Sequence, residues 1–300
     1  MQLPVFVRIV EVGPRDGLQN ETSPIDTDTK VEFINKLSKT GLTVIEATSM
    51  VKPGRIPQLA DAEDVYQKMD KLADVVYPVL VPNLKGMERA LAIGADEIAL
   101  FASASEQFSQ DNINCTIAES LQRFEPVIEL AQEYAIPIRA YLSCAFGHPS
   151  DDTITTDKVA DMAELLTTMG CTEISLADTY GICTPLHTQK IIAAVTERIS
   201  VDQLAVHFHD TRGQALANIL ASLEMGVSVI DASVAGLGGC PFAKSASGNI
   251  ATEDVVYMLN GMNIETGIDL DALIDVGNSI CQKLGRENQS KVGRLGITKP

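Results

Sequence analysis

The sequence predicts an α/β protein of the (β/α)8, or TIM-barrel, type with extra helices after the barrel. Three observations predict it. Short strand-like apolar runs recur eight times, stretches of helical period lie between them, and several of those stretches end at a glycine. A doubly wound open sheet would show fewer strands and a Gly-rich turn after the first one. This chain has Gly-Pro-Arg-Asp-Gly-Leu-Gln there instead.

The strands are expected at 7–12, 44–49, 75–81, 97–102, 138–144, 173–178, 204–209 and 229–234. Helical period appears at 29–39, 57–69, 85–93, 117–134, 156–169, 185–199 and 215–225. Gly41, Gly94, Gly170 and Gly226 end four of these and can take the left-handed cap conformation. After the eighth strand come a loop over 235–249 and helices at 250–261 and 271–284. No Pro-rich, Gly/Ser-rich or single-sign charge run marks a linker, so one catalytic domain over 1–300, with its core at about 7–275, is expected.

Composition narrows the partners. The 300 residues hold 40 acids against 23 bases, a formal net charge of −17, and 45% of them are apolar. That apolar share belongs to an ordinary globular chain, and no window approaches the roughly 18 apolar residues of a membrane span. The acidic excess argues against duplex nucleic acid, whose phosphates are bound chiefly by Lys and Arg. Any anionic ligand would need a locally positive pocket. The cysteines at 115, 144, 171, 183, 240 and 281 form no C-x-x-C pair and read as reduced thiols. The start, MQLPVFVRIV, has no basic region before its apolar stretch, so a cytoplasmic protein is expected.

In such a barrel the active site forms at the carboxyl ends of the strands. Those ends collect Glu11, Arg15, Asp16, Glu46, Ser143, Asp178, Thr179, His207, His209 and Asp210, and the opposite ends show no comparable set. His207 and His209 lie two apart on one strand, so both imidazoles project to one face and can grip one ion. The candidate carboxylates beside them are Asp16, Asp178 and Asp210. A mixed N/O set suits a catalytic divalent ion such as Mg²⁺ or Mn²⁺, with Zn²⁺ and Co²⁺ as alternatives. Arg15 can stabilise an enolate or bind a carboxylate. The small-residue loop at 235–249 reads as a lid carrying one reactive thiol, Cys240, with Gly238 and Gly239 as its hinge.

These residues together carry a family likeness. The segments VRIVEVGPRDGLQNE, VIEATS, EISLADTYG, AVHFHDTRGQALAN and SVAGLGGCPFAKSASGNIATEDVVYML resemble the 3-hydroxy-3-methylglutaryl-CoA lyase family, over nearly the whole chain. The HxHDTxG and Arg-Asp-Gly elements are shared with 2-isopropylmalate and homocitrate synthases, whereas VAGLGGCP is narrower and belongs to the lyases. The resemblance implies Asp16, His207, His209 and Asn249 as metal ligands for Mg²⁺ or Mn²⁺. It implies Arg15 and Cys240 as catalytic, Glu46 and Asp178 as active-site acids and Glu11 as a supporting acid, with Arg15, Gln19 and Thr179 binding substrate. The implied reaction is cleavage of (S)-3-hydroxy-3-methylglutaryl-CoA to acetyl-CoA and acetoacetate, by a homodimer acting on an acyl-CoA, in leucine degradation and ketone-body formation. A lyase for a longer branched analogue, or a condensing enzyme, is the alternative. Three positions depart from the family: Ala177 stands where Gly is common, Phe242 where Tyr is usual, and Arg212 holds a variable position. Positive potential at the rim is expected from Arg15, Lys52, Arg55, Arg212 and Lys244, with the acids on outer helix faces.

Overall fold

The computed structural model describes residues 3–239 and 248–296. Its strands are β1 (Arg8–Glu11), β2 (Val44–Ile45), β3 (Thr48–Ser49), β4 (Val79–Leu80), β5 (Ile98–Ser103), β6 (Ile138–Ser143), β7 (Glu173–Asp178), β8 (Leu204–Phe208) and β9 (Val229–Ala232). All neighbours are parallel, in the order β2-β1-β9-β8-β7-β6-β5-β4-β3. The two outer members of that order are halves of one segment. Its first half pairs with β1, Val44 opposite Val10, and its second with β4, Thr48 opposite Val79. Between them Glu46 N donates to Glu11 O at 2.9 Å and Ala47 N to Pro78 O at 2.9 Å. One stave thus changes partners midway and closes the sheet, giving the expected eight-staved barrel.

The third stave is shorter than expected because Pro78 and Pro82 flank it and lack the N–H a ladder needs. Beyond Pro78, Val76 makes only an isolated bridge to Val44. At the fifth stave, Cys144 turns to φ +57 and ends β6 at Ser143.

Around the barrel run α1 (Thr27–Leu37), α2 (Ala62–Lys68), α3 (Leu84–Ala92), α4 (Glu106–Ile113), α5 (Ile117–Glu133), α6 (Thr156–Met169), α7 (Pro185–Thr196) and α8 (Ala215–Glu224). Helices α9 (Thr252–Gly261), α10 (Leu270–Leu284) and α11 (Lys291–Leu295) follow. Side-chain caps set several starts: Asp26 accepts from Thr29 N, and Thr116 forms a reciprocal capping box with Glu119. The glycines at 41, 94, 170 and 226 all adopt positive φ, as expected at helix ends.

Among the helices, α11 is additional to expectation, and three further elements differ. Helix 57–69 is instead a short 3-10 turn, Pro57–Leu59, followed by α2. The buried Lys30 Nζ takes Gln58 O at 2.5 Å, the carbonyl that a continuous helix would use for its own ladder. Helix α4 is additional. Its sequence is polar with little apolar periodicity, and the Ser105 cap on Phe108 N organises its start. The ninth helix begins at Thr252, because Ile250 is extended, donating to Phe208 O at 3.1 Å and accepting from Ser233 N at 3.0 Å.

The two faces of each strand have different jobs. Ile98, Leu100, Ile138, Leu142, Ile174, Leu176, Val206 and Ile230 point outward into the main apolar cluster shared with the helices. The opposite faces carry Arg139, Tyr141, Ser175, His207 and Asp231, all buried. Leu273, Val276, Ile280 and Leu284 of α10 join the outer cluster, so the C-terminal helices share the barrel's core. The turn after α1 packs on the α9–α10 connection: Asp269 N donates to Thr40 O at 2.8 Å.

Gly41 lies in that contact with φ +91, and a Cβ there would stand 2.1 Å from Gly267 O. Gly41→Ala is expected to cost about 1–3 kcal/mol or more, through both strain and collision. In urea denaturation the midpoint should drop while the slope is unchanged.

Candidate active site

A one-turn π-type helix, Gly13–Gly17, follows β1 and sets Arg15 and Asp16 over the barrel mouth. It packs tightly, since a Cβ on Gly17 would stand 2.7 Å from Ser233 Oγ and 2.8 Å from Leu237 Cβ. Arg15 is buried. Its Nε donates to Glu46 Oε2 at 2.6 Å and its Nη1 to Asp16 Oδ1 at 2.7 Å. Tyr141 OH donates to the same Glu46 oxygen at 3.0 Å, and the Arg15 guanidinium carbon lies 5.1 Å from the Tyr141 ring centroid. Burial opposes the guanidinium's charge, but Glu46 and Asp16 beside it raise its pKa above the ordinary value.

Asp16, His207 and His209 each offer a ligand atom, and these atoms all lie within 4.8 Å of one another. Asn249 Nδ2 donates to Asp16 Oδ2 at 2.8 Å and to Leu237 O at 3.2 Å, leaving Asn249 Oδ1 buried without a partner. His209 Nδ1 is orphaned in the same way. Buried polar atoms without partners are rare, and orphaned atoms beside a carboxylate and two imidazoles fit a divalent cation. Burial holds the Asp16 carboxyl up, but Arg15 and His207 outweigh it and keep its pKa below the usual carboxylate value. The His209 pKa falls to about 4, chiefly by burial, which leaves a neutral imidazole able to act as a ligand.

Above this group opens a cavity of about 1070 Å³, bordered by Arg15, Asp16, Gln19, Thr179, His207 and His209 and reaching the exposed Lys52, Arg55 and Arg123. The structure therefore gathers Arg15, Asp16, Gln19, Thr179, His207 and His209 around one space, with Asn249 bonded to Asp16. Cys240, Phe242 and Lys244 lie outside the described residues; Gly239, which precedes Cys240 in the chain, borders the cavity.

Four residues expected at the site do not border the cavity. Asp178 does not border the cavity. Its oxygens accept from Ile182 N at 3.0 Å and Cys183 N at 2.9 Å, which anchors the turn after β7. Glu46 also stays off the cavity wall and acts on Arg15 from behind. Asp210, a candidate ligand, takes Lys291 Nζ at 2.9 Å and Ala215 N at 3.2 Å and is outside the cation group. Arg212 spends its Nη1 on Tyr180 O at 2.8 Å and Gly181 O at 3.0 Å and does not reach the cavity. The sequence reading missed Tyr141 and Arg123. Alternation in Ile-Arg-Ala-Tyr-Leu-Ser carried the signal for Tyr141; Arg123 is a helix residue with no such signal.

Glu11 turns away from the cavity. It accepts from Gly13 N at 2.8 Å, Val234 N at 2.9 Å and Thr252 Oγ1 at 2.6 Å, and burial pushes its pKa up to about 7. Both oxygens of Glu253 accept from Ala235 N, at 3.0 and 2.8 Å, and burial pushes it up to about 8. Together they tie down the segment leading to Gly238 and Gly239.

Fold and site together define a (β/α)8 barrel whose mouth holds a donor set suited to one divalent cation. Residues 6–280 match the HMGL-like family, and the chain belongs to it. It is 55% identical over 291 residues to the mitochondrial hydroxymethylglutaryl-CoA lyase of Gallus gallus, covering 97% of this chain and 98% of that one. The crystal structure of hydroxymethylglutaryl-CoA lyase from Pseudomonas aeruginosa superposes with TM-score 0.97 at 50% identity, covering 98% of both chains. An HMG-CoA lyase from Acinetobacter baumannii in complex with coenzyme A and 3-methylmalate gives TM-score 0.94 at 39% identity, covering 100% of this chain and 98% of that one.

The raised carboxyls have a consequence for stability. A carboxyl whose pKa is higher folded than unfolded holds an extra proton in the folded state. The unfolding free energy therefore falls as pH climbs from the ordinary 4.5 through 7 and 8, the values for Glu11 and Glu253. Asp16, with a lowered pKa, acts only at more acid pH. Denaturation between pH 6.5 and 8, above the range in which His209 titrates, should show stability decreasing by more than about 1 kcal/mol, and Glu253→Gln should flatten the slope.

Proposed function

We infer that the protein cleaves (S)-3-hydroxy-3-methylglutaryl-CoA to acetyl-CoA and acetoacetate. One observation carries this: a buried guanidinium, Arg15, is clamped by Glu46 and Asp16 and borders a cavity that also contains the Asp16–His207–His209 group. The relatives named above as HMG-CoA lyases support the substrate, and the one with coenzyme A supports an acyl-CoA in the cavity.

Asp16, His207, His209 and Asn249 would hold Mg²⁺ or Mn²⁺. Such an ion supplies Lewis acidity to hydroxyl and carbonyl oxygens. The protein's own residues do the rest. A base takes the proton of the substrate's tertiary hydroxyl, and that proton later restores the Cys240 thiol. As the carbon–carbon bond breaks, the hydroxyl oxygen becomes the ketone of acetoacetate and negative charge moves onto the thioester carbonyl oxygen, where the fixed positive charge of Arg15 stabilises the enolate. Cys240, next in the chain after Gly239, protonates the carbanion to give acetyl-CoA. Glu46 and Tyr141 keep Arg15 aimed, and Asp178 holds the turn that carries Thr179. Gln19 and Thr179 border the substrate. The exposed Lys52, Arg55 and Arg123 meet the phosphates of the coenzyme. Residues 1–300 act as one catalytic domain, in a homodimer, the commonest arrangement of soluble oligomeric enzymes. Free Cys115, Cys144, Cys171, Cys183 and Cys281, all buried, support a reducing compartment such as the cytoplasm, with leucine degradation as the setting.

Purified protein supplied with Mg²⁺ should release acetoacetate from the thioester, and a chelator should abolish it. Activity indifferent to chelation would overturn the cation assignment. Arg15→Gln should lower kcat by about 10²–10³ while moving KM far less. Near-normal turnover would remove Arg15 from the chemistry.

A further inference from the structure

We propose that Asp231, inside the barrel, is a positioning residue for the cation site: its carboxylate, fixed by Arg139 and Ser175, accepts Nδ1–H of His207 and so leaves Nε2 as the lone pair offered to a divalent ion. The proposal rests on the reading that His207 is a cation ligand.

Strand register brings the pair together, because His207 of β8 and Asp231 of β9 are direct partners. Both face inward, since their neighbours Val206 and Ile230 belong to the outer cluster. Asp231 Oδ2 lies 3.4 Å from His207 Nδ1, a buried atom that makes no hydrogen bond among the described residues. A carboxylate has about four acceptor sites. Ser175 Oγ fills one on Oδ2 at 2.7 Å, and Arg139 Nη1 another at 3.1 Å. Arg139 Nη2 bonds Oδ1. Three of the four are thus in use, and the buried His207 Nδ1, still without a hydrogen bond, stands 3.4 Å from Oδ2.

Arg139 cannot drift. Its Nε donates to Glu173 Oε1 at 2.6 Å, its guanidinium carbon lies 4.9 Å from the Tyr141 ring centroid, and Glu173 pairs with Arg8. The result is a chain of charges, Arg8–Glu173–Arg139–Asp231, that ends at His207. A buried ion pair is a poor source of stability compared with apolar residues of like volume, and barrel interiors are usually filled by branched apolar side chains. What this chain adds is orientation. A neutral imidazole has one N–H, and the acceptor it meets decides which nitrogen keeps it.

The protein has four histidines, at 148, 187, 207 and 209, so the tautomer of His207 is directly readable. In metal-free, ¹⁵N-histidine-labelled protein at pH 8, long-range ¹H–¹⁵N spectra, assigned by the signal lost in His207→Gln, should show His207 protonated on Nδ1. Protonation on Nε2 would overturn the proposal, and this measurement needs no variant at Asp231. Binding of Mn²⁺ alone, followed by electron paramagnetic resonance, should then be about 10–100-fold weaker in Asp231→Asn. A folded Asp231→Asn protein, judged by circular dichroism, that binds Mn²⁺ like the parent would also overturn it. Failure of the parent to bind Mn²⁺ would instead remove the cation reading on which the proposal stands.

Discussion

Two guanidinium groups are buried inside a closed parallel sheet, and each has to be neutralised within hydrogen-bond reach, because an uncompensated buried charge costs several kcal/mol or more. Much of the interior follows from that. Arg15 takes Glu46 and Asp16; Arg139 takes Glu173 and Asp231. Tyr141 serves both, with the two guanidinium carbons 5.1 and 4.9 Å from its centroid and its hydroxyl on Glu46. The carboxylates that neutralise the arginines also bear on the cation group, since Asp16 belongs to it and Asp231 reaches His207. Arginine and cation site therefore share one buried electrostatic framework, held from below by strands rather than loops.

The mouth is organised differently. Backbone there is held by acids turned away from the cavity: Glu11 and Glu253 on the segment after β9, Asp178 on the turn after β7. These groups cost stability near neutral pH, where burial opposes their charge. In return they give fixed ends to the loops that carry Thr179 and lead to Gly239. A rigid floor with anchored loops above it suits a reaction in which charge must develop at one set place.

The sequence showed the barrel clearly because its outward strand faces are apolar and its helices are punctuated by glycine. It also showed His207, His209, Arg15 and Asp16, whose spacing on or just past strand ends is local information. Arg139, Tyr141 and Asp231 were equally visible as residues but lay among apolar neighbours. Their partnership joins strands 34 to 92 residues apart in sequence, and only the closed register of β6 to β9 brings them together. Asp178 stands at a strand end beside Thr179, where the sequence reading expects a catalytic acid. That position serves just as well for capping a turn, and the turn that claimed it is formed by residues downstream. Helix α4 stayed hidden because a polar helix pinned by one serine cap lacks the apolar stripe that reveals the others.

The formal charge of −17 misstates what an anionic ligand meets. It counts Glu11, Glu97 and Glu253 as fully ionised, yet burial pushes these to about 7, 7 and 8. It also counts Glu46, Asp231 and Glu173, each spent on a buried arginine. These six acids are buried or half-buried, while acids on outer helix faces such as Asp64, Asp157, Asp161 and Glu164 are exposed, as expected. At physiological salt a field decays over about 8 Å, so a ligand at the mouth feels mainly what lies within that reach. There, among the described residues, the exposed charges bordering the cavity are Lys52 and Arg55 after β3 and Arg123 on α5. Placing cations at the entrance and balancing the charge below lets an acidic protein accept a polyanion tail-first, with the reacting end directed to Arg15.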